Sequence, residues 1–216
     1  MKQILKVLCF ATLSATTLTA CQSSYYSVME SVGVHKREIL VDRVNDANEA
    51  QTEAQEQFKS ALQQLSELVN FDGGDLEAMY NAMSDQYEAS QESADRVTGR
   101  IDKIESVADA LFEEWEDELE QYTSEKLKRN SMKSIRDTKR RYEKLMRSMR
   151  KAESRMQPVL AALKDNTLYL KHNLNARAIG SLQGELQSIK NDVELLIKEM
   201  NGAIEQSQQF IETLKQ

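Results

Sequence analysis

LEAMYNAMSDQYEASQESADRVTGRIDKIESVADALFEEWEDELEQY, residues 76–122, is the stretch on which the fold turns. Leu76, Tyr80, Met83, Tyr87, Ser90, Ala94, Val97, Ile101, Ile104, Ala108, Leu111, Trp115, Glu118 and Tyr122 fall four and three apart without losing phase. A repeat of 3.5 residues sustained over about six heptads places one apolar stripe on one side of a helix, the pattern of supercoiled packing. Asp75 stands just before it, where a short carboxylate can accept from the first free backbone N–H groups.

The same period recurs on both sides. Upstream, Leu40, Val44, Ala47, Gln51, Ala54, Phe58, Ala61, Leu65 and Leu68 form a first stripe, closed by Asp72-Gly73-Gly74-Asp75, whose glycines can take the positive φ of a turn. Downstream, Ile135, Thr138, Tyr142, Leu145, Met149, Ala152, Met156, Val159, Leu163, Thr167, Leu170 and Leu174 form a third, out of phase with the second. Continuing the second stripe would put Glu125, Arg129 and Arg136 on a seam. A turn is therefore expected within Tyr122–Ser131, the alternative being one continuous helix with a skip. Ile179, Leu182, Leu186, Ile189, Val193, Leu196, Met200, Ala203, Ser207, Phe210 and Leu214 make the fourth stripe, after a turn near His172–Asn175.

Composition agrees. One proline and seven glycines in 216 residues leave little to interrupt helices. The expected fold is all-α: a single elongated domain over residues 24–216, with helices near 24–71, 75–122, 131–173 and 177–215. Short connections favour antiparallel neighbours, in one bundle of about four helices or in two stacked hairpins. Gln51, Ser90, Ala94, Ala108 and Glu118 are small or polar seam positions, suited to an incompletely buried seam or to solvent-exposed ends. Pro158 should kink the third helix, because it removes one backbone hydrogen bond and crowds the Ser154 carbonyl.

The N-terminus carries an address. Lys2 and Lys6 precede an apolar run from Val7 to about Ala15, then small and hydroxyl residues, then Leu18-Thr19-Ala20-Cys21. A basic start, a short apolar segment and a small-residue cleavage site are the parts of a secretory signal. The apolar run falls short of the roughly 20 residues that span a bilayer. Leu18 and Ala20 before Cys21 resemble a bacterial lipobox, which implies removal of residues 1–20, acyl chains on Cys21 and a lipidated tether at 21–23. An ordinary signal peptide is the other reading. Cys9 would leave with residues 1–20, so no free thiol would remain, and thiol chemistry, disulfides and zinc-thiolate sites would be excluded. Without Lys2 and Lys6, 26 basic side chains face 35 acidic ones, a net −9.

Catalytic constellations are not found. Neither His35 nor His172 follows a Glu by three positions, His-Glu-x-x-His is absent, and Gly73-Gly74 is not followed by Lys-Ser/Thr. No enzyme, metal or cofactor is expected. The outstanding chemical feature is charge: Lys126 to Arg155 holds thirteen basic and three acidic residues, just after seven acids and no base in Asp109–Glu120. An antiparallel hairpin would pair part of this run with the acids. The remainder, drawn from Arg136, Lys139, Arg140, Arg141, Lys144, Arg147, Arg150 and Lys151, could meet anionic headgroups, lipopolysaccharide or an acidic partner. Nucleic acid is not expected, because the mature chain is acidic and aromatics are not interleaved with the bases.

Lys36-Arg37-Glu38-Ile39-Leu40-Val41-Asp42-Arg43-Val44, with Ala47, Ala50-Gln51 and Ala54-Gln55-Glu56-Gln57-Phe58, resembles a family of Gram-negative proteins known as domain of unknown function 2959. The resemblance implies a helical, coiled-coil envelope lipoprotein and no activity. Gln22, where inner-membrane lipoproteins usually carry Asp, implies the outer membrane, facing the periplasm. The expected role is a non-enzymatic periplasmic scaffold with a protein partner, held to the membrane through Cys21; a homo-oligomer is compatible with it. A lipid-binding or membrane-shaping module, and then a periplasmic holdase, are the alternatives.

Overall fold

The computed structural model describes residues 35–70, 73, 75–173 and 176–215. The signal segment 1–20, Cys21, the tether and residues 24–34 of the expected first helix lie outside the described residues, as do Asp72, Gly74 and Leu174.

Among the described residues, four helices make up the fold: α1 (Lys36–Val69), α2 (Leu76–Leu119), α3 (Glu125–His172) and α4 (Ala176–Leu214). Each packs against two neighbours in a ring, α1 and α3 both touching α2 and α4. Polar pairs fix the directions. Lys36 meets Glu114 while Gln57 meets Gln86, so α1 and α2 run antiparallel. Arg150 meets Glu105 while Lys139 meets Glu116, Lys151 meets Glu199 while Arg141 meets Thr213, and Gln55 meets Asn201 while Gln183 donates to the Val69 carbonyl, so every adjacent pair is antiparallel. The result is an up-down-up-down bundle whose longest helix, at 48 residues, extends about 70 Å.

The stripes become the core. All nine positions from Leu40 to Leu68 are buried, and so is every position from Ser90 to Leu111 in α2 and from Ile189 to Leu214 in α4. Phe58, Phe210, Met83 and Met156 are among the largest side chains wholly withdrawn from water. Each contributes about 1.5–3 kcal/mol of apolar burial. Near one end, Phe112 ties three helices together: its ring lies edge-on to Trp115 at 5.8 Å and to Tyr142 at 5.4 Å, and Tyr142 reaches Phe210 at 6.2 Å.

The polar seam positions divide. Glu118 is exposed at the end of α2, but Gln51, Ser90, Ala94 and Ala108 are buried mid-bundle. Ser90 and Ser207 satisfy themselves by donating to the carbonyls of Gln86 and Ala203, one turn back. Gln51 does not: it is 0% exposed, and neither its Nε2 nor its Oε1 has a partner.

Turns follow local chemistry. Asp75 Oδ1 accepts from the N–H groups of Glu77 and Ala78 at 3.0 and 3.1 Å, and Gly73 takes φ +147°. The turn between α2 and α3 sits at residues 120–124, starting before the expected Tyr122–Ser131 window, and Ser124 caps α3 at the Leu127 N–H. The charges that argued against helix at 125–131 are tolerated because this stretch needs no seam. Nothing from Glu125 to Ser134 is buried, and Ile135 is the first buried residue of α3. Arg141 reaches Thr213 near the end of α4, so roughly the first ten residues of α3 overhang the bundle. α3 continues as one helix through Pro158, and Pro158 and Ser154 are both exposed, so the Ser154 carbonyl that the proline leaves without its helical donor is on the solvent side.

Candidate functional site

The basic run of α3 separates into two rows. Lys139 and Arg150 lean toward α2. Lys139 pairs with Glu116 and stands 5.3 Å from the centre of the Phe112 ring. Arg150 is the most heavily engaged cation among the described residues. It meets Asp102 at 2.7 Å, Glu105 at 2.6 Å and Glu153 at 2.8 Å. Hydrogen bonding to Glu105 leads the effects that hold this guanidinium charged, raising its pKa well beyond the ordinary arginine value. Burial, reinforced by the Asp109 and Glu105 carboxylates, likewise pushes the Tyr142 phenol upward, so it stays neutral. Lys128 joins Glu120 at 3.1 Å across the turn. Lys128–Glu120 and Lys139–Glu116 pair the acidic end of α2 with the basic start of α3, whereas Arg150 belongs to the later part of the run and takes Asp102 and Glu105, which precede the Asp109–Glu120 stretch; together they knit α2 to α3.

The second row faces outward. Lys126, Arg129, Lys133, Arg136, Arg140, Lys144, Arg147, Lys151 and Arg155 recur every three or four residues, and all nine are exposed. At about 100° per residue they fall within an arc of about 100°, opposite the Ile135–Tyr142–Met149 seam. The ridge so formed is about 45 Å long. Lys126, Arg129, Lys133, Arg136, Lys144 and Arg155 have no ion pair among the described residues. Arg140 and Arg147 pair only within α3, with Asp137 at 3.0 Å and Glu143 at 3.7 Å, and Lys151 reaches Glu199 of α4 at 2.8 Å.

The eight bases singled out from sequence are thus not one surface. Arg136, Arg140, Lys144, Arg147 and Lys151 belong to the ridge, Lys139 and Arg150 to the α2 interface, and Arg141 donates to Thr213 Oγ1 at 3.1 Å. Lys126, Arg129 and Lys133 extend the ridge beyond those eight bases, and their three- and four-residue spacing carries this signal in the sequence. Across the bundle the charge is lopsided: α3 holds fifteen basic and five acidic side chains, α2 three and thirteen.

The ridge begins at the end of the bundle where the chain enters. A cavity of about 290 Å³ there is bordered by Arg37 of α1, Trp115 of α2, Ser131 and Ile135 of α3 and Leu214 of α4. The start of α1, on the Cys21 side, therefore shares one end with the overhang of α3. At the opposite end an open groove of about 610 Å³ runs between Asn166, Tyr169, Leu182 and Glu185. Among the described residues, no group of three or more His, Cys, Asp or Glu could hold a metal ion, and no helix is long and apolar enough to cross a membrane.

Compared with known families, residues 25–214 match the model described as protein of unknown function (DUF2959). No curated protein and no solved structure matches the chain.

Proposed function

This chain belongs to the DUF2959 family of proteins of unknown function, and on that footing we propose that it is a lipid-anchored, non-enzymatic scaffold of the Gram-negative envelope. The anchor is Cys21, and the bundle faces the periplasm from the outer membrane, as Gln22 suggests. The observation that carries this reading is the closure of all four apolar stripes on one another within a single chain. A bundle that satisfies its own seams needs no partner in order to fold. What it offers is position, set by the tether, and long outer faces of opposite charge, acidic on α2 and basic on α3.

Cys21→Ser is the test of the anchor: the protein should lose its acyl chains and leave the membrane fraction. Retention of both acylation and membrane association would contradict the reading. For the scaffold role, photo-crosslinking residues placed at exposed positions of α1, such as Glu53 and Ser60, should trap one or a few discrete proteins in cells. A smear of unrelated unfolded clients would favour the holdase instead.

A further inference from the structure

We propose that the outer ridge of α3 docks lengthwise on the anionic phospholipid headgroups of the bilayer that holds the anchor, so that the bundle lies along the membrane rather than standing on its tether. The inference rests on the anchor reading above and adds an orientation and a ligand surface to it.

Three independent observations carry it. The first is the cost of the ridge to its own helix. Like charges three and four residues apart disfavour a helix, and Lys126 and Arg129 oppose the positive end of the helix dipole. Folding does not ask for this arrangement, and six of the nine cations find no acid among the described residues. The second is shape. A ridge about 45 Å long and parallel to the bundle axis can meet a flat surface along its length only if the bundle lies down. Anionic leaflets attract such clusters over roughly a Debye length of 8–10 Å, which a side-on ridge satisfies and an upright bundle does not. The third is the tether. His35 stands fourteen residues after Cys21, a reach of at most about 50 Å, and the chain enters at the end where the overhang of α3 begins.

The test uses the mature acylated protein, reconstituted into neutral vesicles and into vesicles with about a third anionic phospholipid. Lys171→Cys carries a donor fluorophore at the far end of α3, and the acceptor sits on the lipid headgroups. Energy transfer on acidic vesicles should be several-fold higher than on neutral ones, and it should fall to the neutral level at about 1 M salt, where screening shortens to about 3 Å. The combined variant Lys133→Glu, Arg136→Glu, Lys144→Glu, Arg155→Glu should show the neutral-vesicle value on both. These four have no ion pair to lose, and reversal relieves repulsion, so the fold should survive, which circular dichroism would verify. Equal transfer on the two vesicle types, or unchanged transfer in the variant, would overturn the proposal. Failure to associate with neutral vesicles would instead count against the anchor, and the acidic-against-neutral comparison would still judge the ridge.

Discussion

Gln51 shows how burial and bonding can be at odds in one residue. It occupies a seam position of α1, fully enclosed, with both ends of its amide unpaired. A buried polar group without a partner costs about 1–3 kcal/mol. Gln51→Leu should therefore stabilise the bundle by about that amount, seen as a higher denaturation midpoint with an unchanged slope. A loss of stability would mean that the amide is specifying register rather than merely being tolerated. Arg150 is the opposite case, a cation held by three carboxylates while its side chain remains 34% exposed. Solvent screening keeps the benefit modest, so Arg150→Met, which preserves the apolar stem, should cost about 1–2 kcal/mol. A double-mutant cycle with Glu105→Gln would isolate the α2–α3 component. From sequence, Gln51 could be placed on the seam, but its lack of partners depends on which side chains face it from other helices, and periodicity does not carry that.

Among the elements, α2 and α4 could be read almost entirely from their stripes, because the four- and three-residue spacing repeats the geometry of the buried face. The start of α3 could not. Between Glu125 and Ser134 the helix overhangs its neighbours, so burial writes no pattern there and the charges look like a break. The continuous basic ridge was legible only in part for a related reason. Charge density marked the run, while the division into an inward row and an outward row depends on where α2 and α4 pack. Pro158 supplies an element-scale prediction. Its ring sits on the solvent side of α3, so Pro158→Ala restores a backbone hydrogen bond without disturbing the core. With proline up to about 3 kcal/mol worse than alanine inside a helix, the variant should be stabilised by about 1–3 kcal/mol in thermal or denaturant melts.

For the molecule as a whole, one apolar core runs the length of four helices, and the charge lies across the bundle rather than along it, with α2 and α3 carrying opposite excess. That transverse asymmetry distinguishes a bundle that lies on a surface from one that merely extends from it. A side-on bundle would also leave α1, diagonally opposite α3, facing the periplasm and open to a protein partner. Neutron reflectometry of the mature protein, anchored in a supported bilayer with about a third anionic lipid, measures the orientation directly. Two helices of about 10–12 Å diameter side by side should give a protein layer about 20–25 Å thick, swelling toward about 70 Å when the four ridge charges are reversed. A layer of about 70 Å for the unaltered protein at low salt would contradict the lengthwise orientation and return the ridge to the solvent.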